Sequence, residues 1–108
     1  MATKRANPEP PDVSWTFLTS HGLVLLAIAQ QPDILLRNVA QRVGITERAV
    51  QRIVADLIDA GYLSRNRTGR RNVYTFHREV LLPHATTRHQ DAGALMAALM
   101  AGAPRSKR

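Results

Sequence analysis

The stretch VAQRVGITERAVQRIVADLIDAGYL, residues 39–63, decides the fold. A short helical segment ends at Gly44, a residue that readily takes the left-handed conformation that closes a helix. Thr46 can cap the next helix, which is predicted to run from Glu47 to Ala60 and to stop at Gly61. The apolar positions of that helix follow the spacing of a buried stripe: Val50, Ile53, Val54, Leu57 and Ile58.

The spacing around the turn is specific as well. Two helices that cross this closely admit only a small residue four positions before the turn glycine, and a branched apolar residue is needed six positions after it. Ala40 and Val50 occupy these places. The stretch therefore predicts a helix-turn-helix, with the first of its two helices over residues 37–43.

A longer helix is predicted upstream, ending before Pro32 and beginning after Thr19 or Ser20, with an earlier start near Ser14 as the alternative. Residues 23–29 are apolar on every face, whereas a helix on one small core shows only a stripe. We therefore expect one face to pack in the same chain and the other on a second subunit. Between this helix and the next, residues 34–36 favour at most a strand fragment.

Downstream, residues 62–67, a turn over 68–72 and a strand over 73–76 indicate a β-hairpin with a basic tip. A last helix is predicted over residues 88–101, with a single apolar stripe that needs a surface to lie on. The stripe consists of Ala92, Leu95, Met96, Leu99 and Met100.

These elements predict a mainly α protein with a small β-hairpin, a dimeric winged helix-turn-helix. The order is helix, strand fragment, helix, helix, hairpin, helix. We expect a flexible arm over residues 1–13, the winged helix over 14–82, a dimerisation helix over 83–101 and a basic tail over 102–108.

Charge and composition limit the function classes. The 108 residues carry a net charge of +7, have no cysteine and include no apolar run long enough to cross a membrane. Between residues 36 and 78, nine arginines oppose three acidic residues, a local charge of +6 that would attract a polyanion. A merely solvated basic face is the competing interpretation. We expect a soluble, cytoplasmic, nucleoid-associated protein.

The segment quoted above and the hairpin RNRTGRRNVY, residues 65–74, resemble the winged-helix DNA-binding domain of bacterial ArsR/MarR-type transcriptional regulators. The resemblance covers residues 18–76. It implies that helix 46–60 enters the major groove of double-stranded DNA and that the wing, residues 62–77, lies along the backbone or in the minor groove. It also implies a regulator of transcription, with repression the expected outcome.

Candidate DNA contacts follow from the chemistry of base and phosphate recognition. Arginine can bind guanine and glutamine can bind adenine through paired hydrogen bonds, which favours Arg48, Gln51 and Arg52 as base readers. Glu47 can accept from cytosine or repel wrong sequences, and Thr46 can donate to a phosphate. Further phosphate and narrow-groove contacts are expected from Arg37, Arg65, Arg67, Arg70, Arg71 and Asn72.

The first and last helices are expected to form a homodimer. The candidate interface residues are Leu23, Leu26, Leu95, Met96, Leu99 and Met100. A two-fold axis would present two recognition helices to successive major grooves, so the expected operator is a near-palindrome.

Several alternatives remain at this point. His84, His89 and Asp91 could suggest a metal site, but the five-residue spacing of the histidines places them on different sides of a helix, so no metal or cofactor is expected. His21 and His77 are interpreted as packing residues. No catalytic motif is evident, and we expect no enzymatic activity. A small-molecule sensor remains an alternative, although no effector site is evident. The other open function is a protein-interaction or architectural DNA-coating module.

Overall fold

A computed structural model of the chain describes residues 9–102. In this range the elements are α1 (Ser20–Gln30), α2 (Leu36–Val43), α3 (Glu47–Asp59), β1 (Leu63–Thr68), β2 (Arg71–Phe76) and α4 (Ala92–Met100). Most of the predicted arm and all but the first residue of the predicted tail, at 1–8 and 103–108, lie outside the described residues. None of the described helices is long and apolar enough to span a membrane.

The helix-turn-helix has the predicted local structure. Gly44 adopts φ +88°, and the amides of Gly44 and Ile45 both donate to the carbonyl of Ala40, at 2.8 and 3.1 Å. The Thr46 hydroxyl accepts from the amide of Ala49 at 3.0 Å, which caps the start of α3. Val50 is completely buried, as a residue six positions after the turn glycine should be. The close crossing of α2 and α3 is therefore confirmed.

Helix α1 begins where the cap predicts. The Thr19 hydroxyl accepts from the amide of Gly22 at 3.1 Å, and the helix ends at Gln30, before Pro32. One side of α1 lies in the chain's own core through Val24, Leu25, Ala27 and Ile28. The apolar residues on its other side, Leu23 and Leu26, are half-buried.

The hairpin is longer and tighter than predicted. Its strands pair in antiparallel register from Leu63 with Phe76 to Thr68 with Arg71, so the turn consists of Gly69 and Arg70 alone. Gly69 has φ +63° and Arg70 does not have a positive φ, as in a type II′ turn, which matches the twist of a two-residue hairpin. The five-residue turn predicted over 68–72 is wrong, because this glycine permits a shorter connection.

The strand fragment predicted over residues 34–36 is also wrong, since no strand forms there in the described chain. The amide of Ile34 donates to the carbonyl of Gln31 at 3.0 Å in a turn, and its side chain is buried in the core. Leu36 already belongs to α2. The hairpin instead meets this loop through one hydrogen bond, from the amide of Tyr74 to the carbonyl of Pro32, at 2.9 Å.

Helix α4 begins later than the predicted residue 88. Residues 84–90 form turns in which the amides of Thr87 and Arg88 donate to the carbonyl of His84, both at 2.9 Å. Asp91 then caps the helix by accepting from the amide of Ala94 at 2.8 Å. A cap residue takes an extended conformation, so the helix cannot continue upstream through it.

The start of α4 is hydrogen-bonded to residues 78–80, which follow the hairpin. The amide of Gly93 donates to the carbonyl of Arg78 and that of Ala92 to the carbonyl of Val80, both at 2.8 Å. The approach is so close that a Cβ added at Gly93 would lie 2.9 Å from the Arg78 carbonyl oxygen. Met96, one turn further on, is 2% exposed and belongs to the core of the same chain. Its predicted part in a dimer interface is therefore limited to the small surface that it exposes to the pocket beside α4.

Candidate nucleic-acid interface

Three elements surround an open groove of about 320 Å³ on one side of the molecule. The start of α2 contributes Arg37, the start of α3 contributes Glu47 and Gln51, and strand β2 contributes Asn72. These residues are up to 35 positions apart in the chain, and all four were candidate DNA contacts on sequence grounds. The fold therefore brings at least one predicted residue from each of α2, α3 and the wing to the lining of the same groove.

The remaining candidates on α3 lie along its exposed face. Arg48, Gln51 and Arg52 are exposed, whereas the stripe that includes Val50, Ile53 and Val54 is buried. Residues three and four positions apart share a helix face, so Arg48 lies beside both Gln51 and Arg52. Arg48 and Arg52 do not line the groove itself. They extend its polar surface along the helix.

The wing carries its arginines toward the tip. Arg65, Arg67 and Arg70 are exposed, and the Arg67 Nε donates to the carbonyl of Gly69 at 3.2 Å. Arg67 pairs across the hairpin with Asn72, so the two side chains share a sheet face. Because Asn72 lines the groove, that face of the wing continues the groove toward the tip.

Arg71 is placed differently from its neighbour Arg70. Its guanidinium donates to the carbonyl oxygen of Asp33 at 2.8 Å, which ties β2 to the loop before α2. One nitrogen of this side chain is therefore engaged within the chain. Arg71 positions the wing, in addition to any contact that it makes with DNA.

Within the described residues, the arginines of this surface are not neutralised by carboxylates of the same chain. Across residues 9–102 the only salt bridge joins His21 and Asp56, with 2.8 Å between Nε2 and Oδ2. No arginine of α2, α3 or the hairpin is paired with a carboxylate in that range. Exposed arginines without an internal partner are available to phosphate or to base edges.

Sequence reasoning missed two residues of the groove, Leu35 and Leu36, of which Leu35 is the more relevant because it is exposed. Leu35 lines it and is 38% exposed, an apolar side chain beside Arg37 and Gln51. Its exposure could not be inferred once residues 34–36 were interpreted as a strand fragment. An apolar side chain in a DNA interface can contact the methyl group of thymine.

The side chains of three of the four histidines have identifiable hydrogen-bond partners. His21 is about half exposed and pairs with Asp56 of α3, so its assignment as a packing residue is wrong. His77 is half-buried, with its ring nitrogen hydrogen-bonded to the Ser64 hydroxyl. The Nδ1 of His84 accepts from the amide of Thr86 at 3.0 Å. Within the described part of the chain, no three His, Cys, Asp or Glu side chains are close enough together to hold a metal ion.

The candidate interface residues are divided between two surfaces. Leu23 and Leu26 line a small depression beside α2, whereas Leu95 lines a larger pocket on the opposite side of α1. Leu99 and Met100 are exposed at the end of α4. The α1 residues that line the same pocket as Leu95 are His21, Gly22 and Leu25, none of which the sequence pattern selected for an interface.

Comparison with known proteins agrees with this geometry. The model of the MarR family matches residues 15–71, which is more than half of the chain and includes α1, α2, α3 and strand β1. A search of curated proteins found no match. Members of this family are winged-helix proteins that bind DNA and regulate transcription. With the helix-turn-helix, the basic hairpin and the family model in agreement, the chain belongs to the MarR family of transcriptional regulators.

Proposed function

We propose that this protein is a homodimeric, sequence-specific repressor of transcription that reads a near-palindromic operator. The observation that carries the proposal is the groove shared by Arg37, Glu47, Gln51 and Asn72. It combines polar side chains suited to base edges with one cation, Arg37, suited to a phosphate, on elements that the DNA-binding members of the family use.

In the proposed complex, α3 lies in the major groove, which is wide enough to admit one helix. Arg48, Gln51 and Arg52 face base edges, and Glu47 accepts from a cytosine amino group or disfavours other bases there. Thr46 contacts a phosphate beside the start of α3, where the helix dipole is positive. Arg37 binds a phosphate from the other side of the groove.

The wing binds the flanking backbone and minor groove in this arrangement. Arg65, Arg67 and Arg70 are exposed and free of internal carboxylate partners in the described chain, which supports their role as cations for DNA. Asn72 lies between the wing and α3 and joins both sets of contacts. Arg71 contributes charge while it holds the wing in position.

The proposed unit of binding is a dimer. Residues 14–82 form the DNA-binding part and residues 83–101 contribute to dimerisation. The apolar contacts come from one of two surfaces, either the one with Leu95, Leu99 and Met100 or the one with Leu23 and Leu26 on the other side of α1. A two-fold axis then places the two α3 helices about 34 Å apart, at successive major grooves. A dimer bound in this way covers a full turn of DNA and excludes polymerase from an overlapping promoter, which is the basis for repression.

Selection from a randomised duplex library tests the proposal, with the mass in solution measured alongside. We expect enrichment of a near-palindrome and the mass of a dimer. Salt-dependent binding without enrichment would identify an architectural DNA coat instead. Absence of binding would identify a protein-interaction module. An enriched asymmetric half-site bound by a monomer would refute the dimer but retain sequence-specific recognition.

A further inference from the structure

A second concave surface lies away from the groove. An apolar pocket of about 450 Å³ opens between α1, the C-terminal end of α3 and α4. Its walls include Leu25, Leu57, Tyr62, Leu82, Leu95 and Met96. Several of these residues belong to the core, so the pocket is a place where the core of a single chain is left open to solvent.

Two aromatic side chains project beside this pocket. Phe17 contributes to its rim and is 93% exposed, and Trp15 is 56% exposed. The two rings are in edge-to-face contact, with centroids 5.1 Å apart and planes at 80°. An exposed aromatic pair is apolar surface that a folded chain normally buries, and its contact with an open apolar pocket marks an interaction site.

We propose that the Trp15–Phe17 pair of one chain fills the apolar pocket of a second copy, and that the second copy does the same in return. A two-fold interface uses the same patch on both subunits, so that patch must be complementary to itself. The aromatic pair lies next to the apolar pocket on the same chain, so this condition is met. A two-fold axis that passes between the pair and the pocket places the pair of each subunit over the pocket of the other subunit. The inference names the interface of the proposed dimer and therefore rests on the proposed function.

The area that this exchange buries is sufficient for a stable dimer. Given the exposed fractions of the two rings, each chain would bury roughly 300 Å² of aromatic surface. The walls of the partner's pocket lose about half as much, so the exchange of the rings alone buries roughly 900 Å² in the dimer. Exposed Val13, next to the pair, and Leu81, next to the pocket residue Leu82, bring the total to roughly 1,200 Å², the lower end of specific stable interfaces.

The location of the pocket leaves the groove free for DNA. Leu57 and Ala60, at the C-terminal end of α3, line the pocket, whereas Glu47 and Gln51, at the N-terminal end, line the groove. The thirteen residues of α3 span about 20 Å. A partner and a DNA duplex can therefore occupy opposite ends of the same helix.

Substitution of Phe17 tests the inference first. Phe17→Asp should raise the dissociation constant of the dimer roughly a hundredfold or more, measured by sedimentation, because it sets a charge in an apolar cavity. The side chain is almost fully exposed in the single chain, so the melting temperature of the monomer should be unchanged. The matched control is Leu35→Asp, which changes an exposed leucine of the groove and should leave the mass that of a dimer.

Trp15 provides an independent signal, because it is the only tryptophan in the chain. Its fluorescence emission should move to shorter wavelength as the wild-type protein is concentrated through the dimer dissociation constant, and Phe17→Asp should abolish this movement. Unchanged emission from a wild-type dimer would mean that Trp15 is not at the interface, and would overturn the inference.

Cross-linking locates the contact, since the natural chain has no cysteine. A Thr16→Cys chain mixed with a differently tagged Ala60→Cys chain should give a mixed disulfide dimer, because residue 16 lies between the two rings and Ala60 lines the pocket. Arg70→Cys at the tip of the wing, the control partner, should give none.

Two outcomes would refute the exchange without refuting sequence-specific DNA recognition. One is a dimer that survives Phe17→Asp but is broken by Leu23→Asp or Leu26→Asp, on the other side of α1. The other is a wild-type monomer whose pocket takes up a small apolar dye. In either case the library selection still reports DNA recognition, so failure of the interface and failure of the function are distinguishable.

Discussion

The carbonyl oxygen of Asp33 accepts a hydrogen bond from the guanidinium of Arg71 over 2.8 Å, and this contact joins the wing to the loop before α2. The amide of Tyr74, three residues along the same strand, donates to the carbonyl of Pro32 at 2.9 Å. Two consecutive loop residues therefore hold one strand of the hairpin. The angle between the wing and α3 depends on these two contacts.

Loss of the Arg71 side chain should loosen the wing. Arg71→Ala should speed amide hydrogen exchange in β1 and β2 and reduce stability by about 1 kcal/mol, because the Asp33 carbonyl loses its donor. Affinity for DNA should fall as well. Arg70→Ala is the matched control, since it removes the same charge at the neighbouring position, and it should leave amide hydrogen exchange unchanged. Equal exchange in the two variants would show that the Arg71 contact does not hold the wing.

Arg70 should act through phosphates alone. If six to eight phosphates are contacted per dimer, the logarithm of affinity should fall against the logarithm of salt concentration with a slope of about −5 to −7. Arg70→Ala should weaken cognate and random duplexes alike and make the slope shallower by about 1 for each phosphate that is no longer neutralised. A weakening confined to the cognate duplex would instead make Arg70 a base reader.

Arg52 should distinguish one base from another. Arg52→Ala should cost about 1 to 3 kcal/mol on the enriched operator and relax the preference at one position in each half-site, because the paired hydrogen bonds to guanine are removed. Arg42→Ala removes an arginine that lies outside the groove and the hairpin, beside Leu23 and Leu26. It should leave the selected base preferences unchanged. A relaxed preference in Arg42→Ala would place the reading surface elsewhere.

The attachment of α4 should depend on Gly93. Gly93→Ala places a Cβ 2.5 Å from that of Arg78 and 2.9 Å from its carbonyl oxygen, so the start of α4 must shift. We expect a loss of about 1 to 3 kcal/mol in the free energy of unfolding, measured by urea denaturation. Gly22→Ala in α1 is the control, because its Cβ would meet only the side chain of Leu18, at 3.3 Å and beyond. Comparable losses in both variants would refute the role of this contact.

Tyr62 should impose an alkaline limit on stability. Its hydroxyl donates to the carbonyl of Leu81 at 2.6 Å, and burial raises the pKa of its phenol above the usual value of 10.0. The folded state thus holds the phenol proton more tightly than the unfolded state. The contribution of this proton to the free energy of unfolding is therefore complete below pH 10.0, and it is lost as the pH rises through the pKa of Tyr62 in the folded protein.

Tyr62→Phe removes both the hydrogen bond and the titration. Thermal unfolding at pH 7 should show a loss of about 1 kcal/mol relative to wild type. Above pH 10.0 the difference between the two proteins should become smaller, because only the wild type loses stability by ionising this phenol. A difference that stays constant with pH would exclude Tyr62 as the titrating group.

Local chemistry explains which features the sequence could predict. Gly44, Thr46 and the apolar stripe of α3 act within a few residues of one another, so spacing alone predicted the helix-turn-helix and its polar face. The start of α4 depended on which of several polar residues caps it, and Asp91 could not be distinguished from its neighbours beforehand. The attachment of Arg71 to Asp33 joins residues 38 positions apart, which no local pattern reveals.

Helix α3 has its first turn at the groove and its last turn in the wall of the pocket. A helix of thirteen residues is stiff, so a tilt about its middle moves its two ends in opposite directions. In the proposed complex, the group that fills the pocket therefore sets the angle at which the polar side chains of α3 enter the major groove. The half-site spacing of the proposed operator would then depend on how the two subunits are joined, and a change at Leu57 or Ala60 should alter that spacing without any contact to a base.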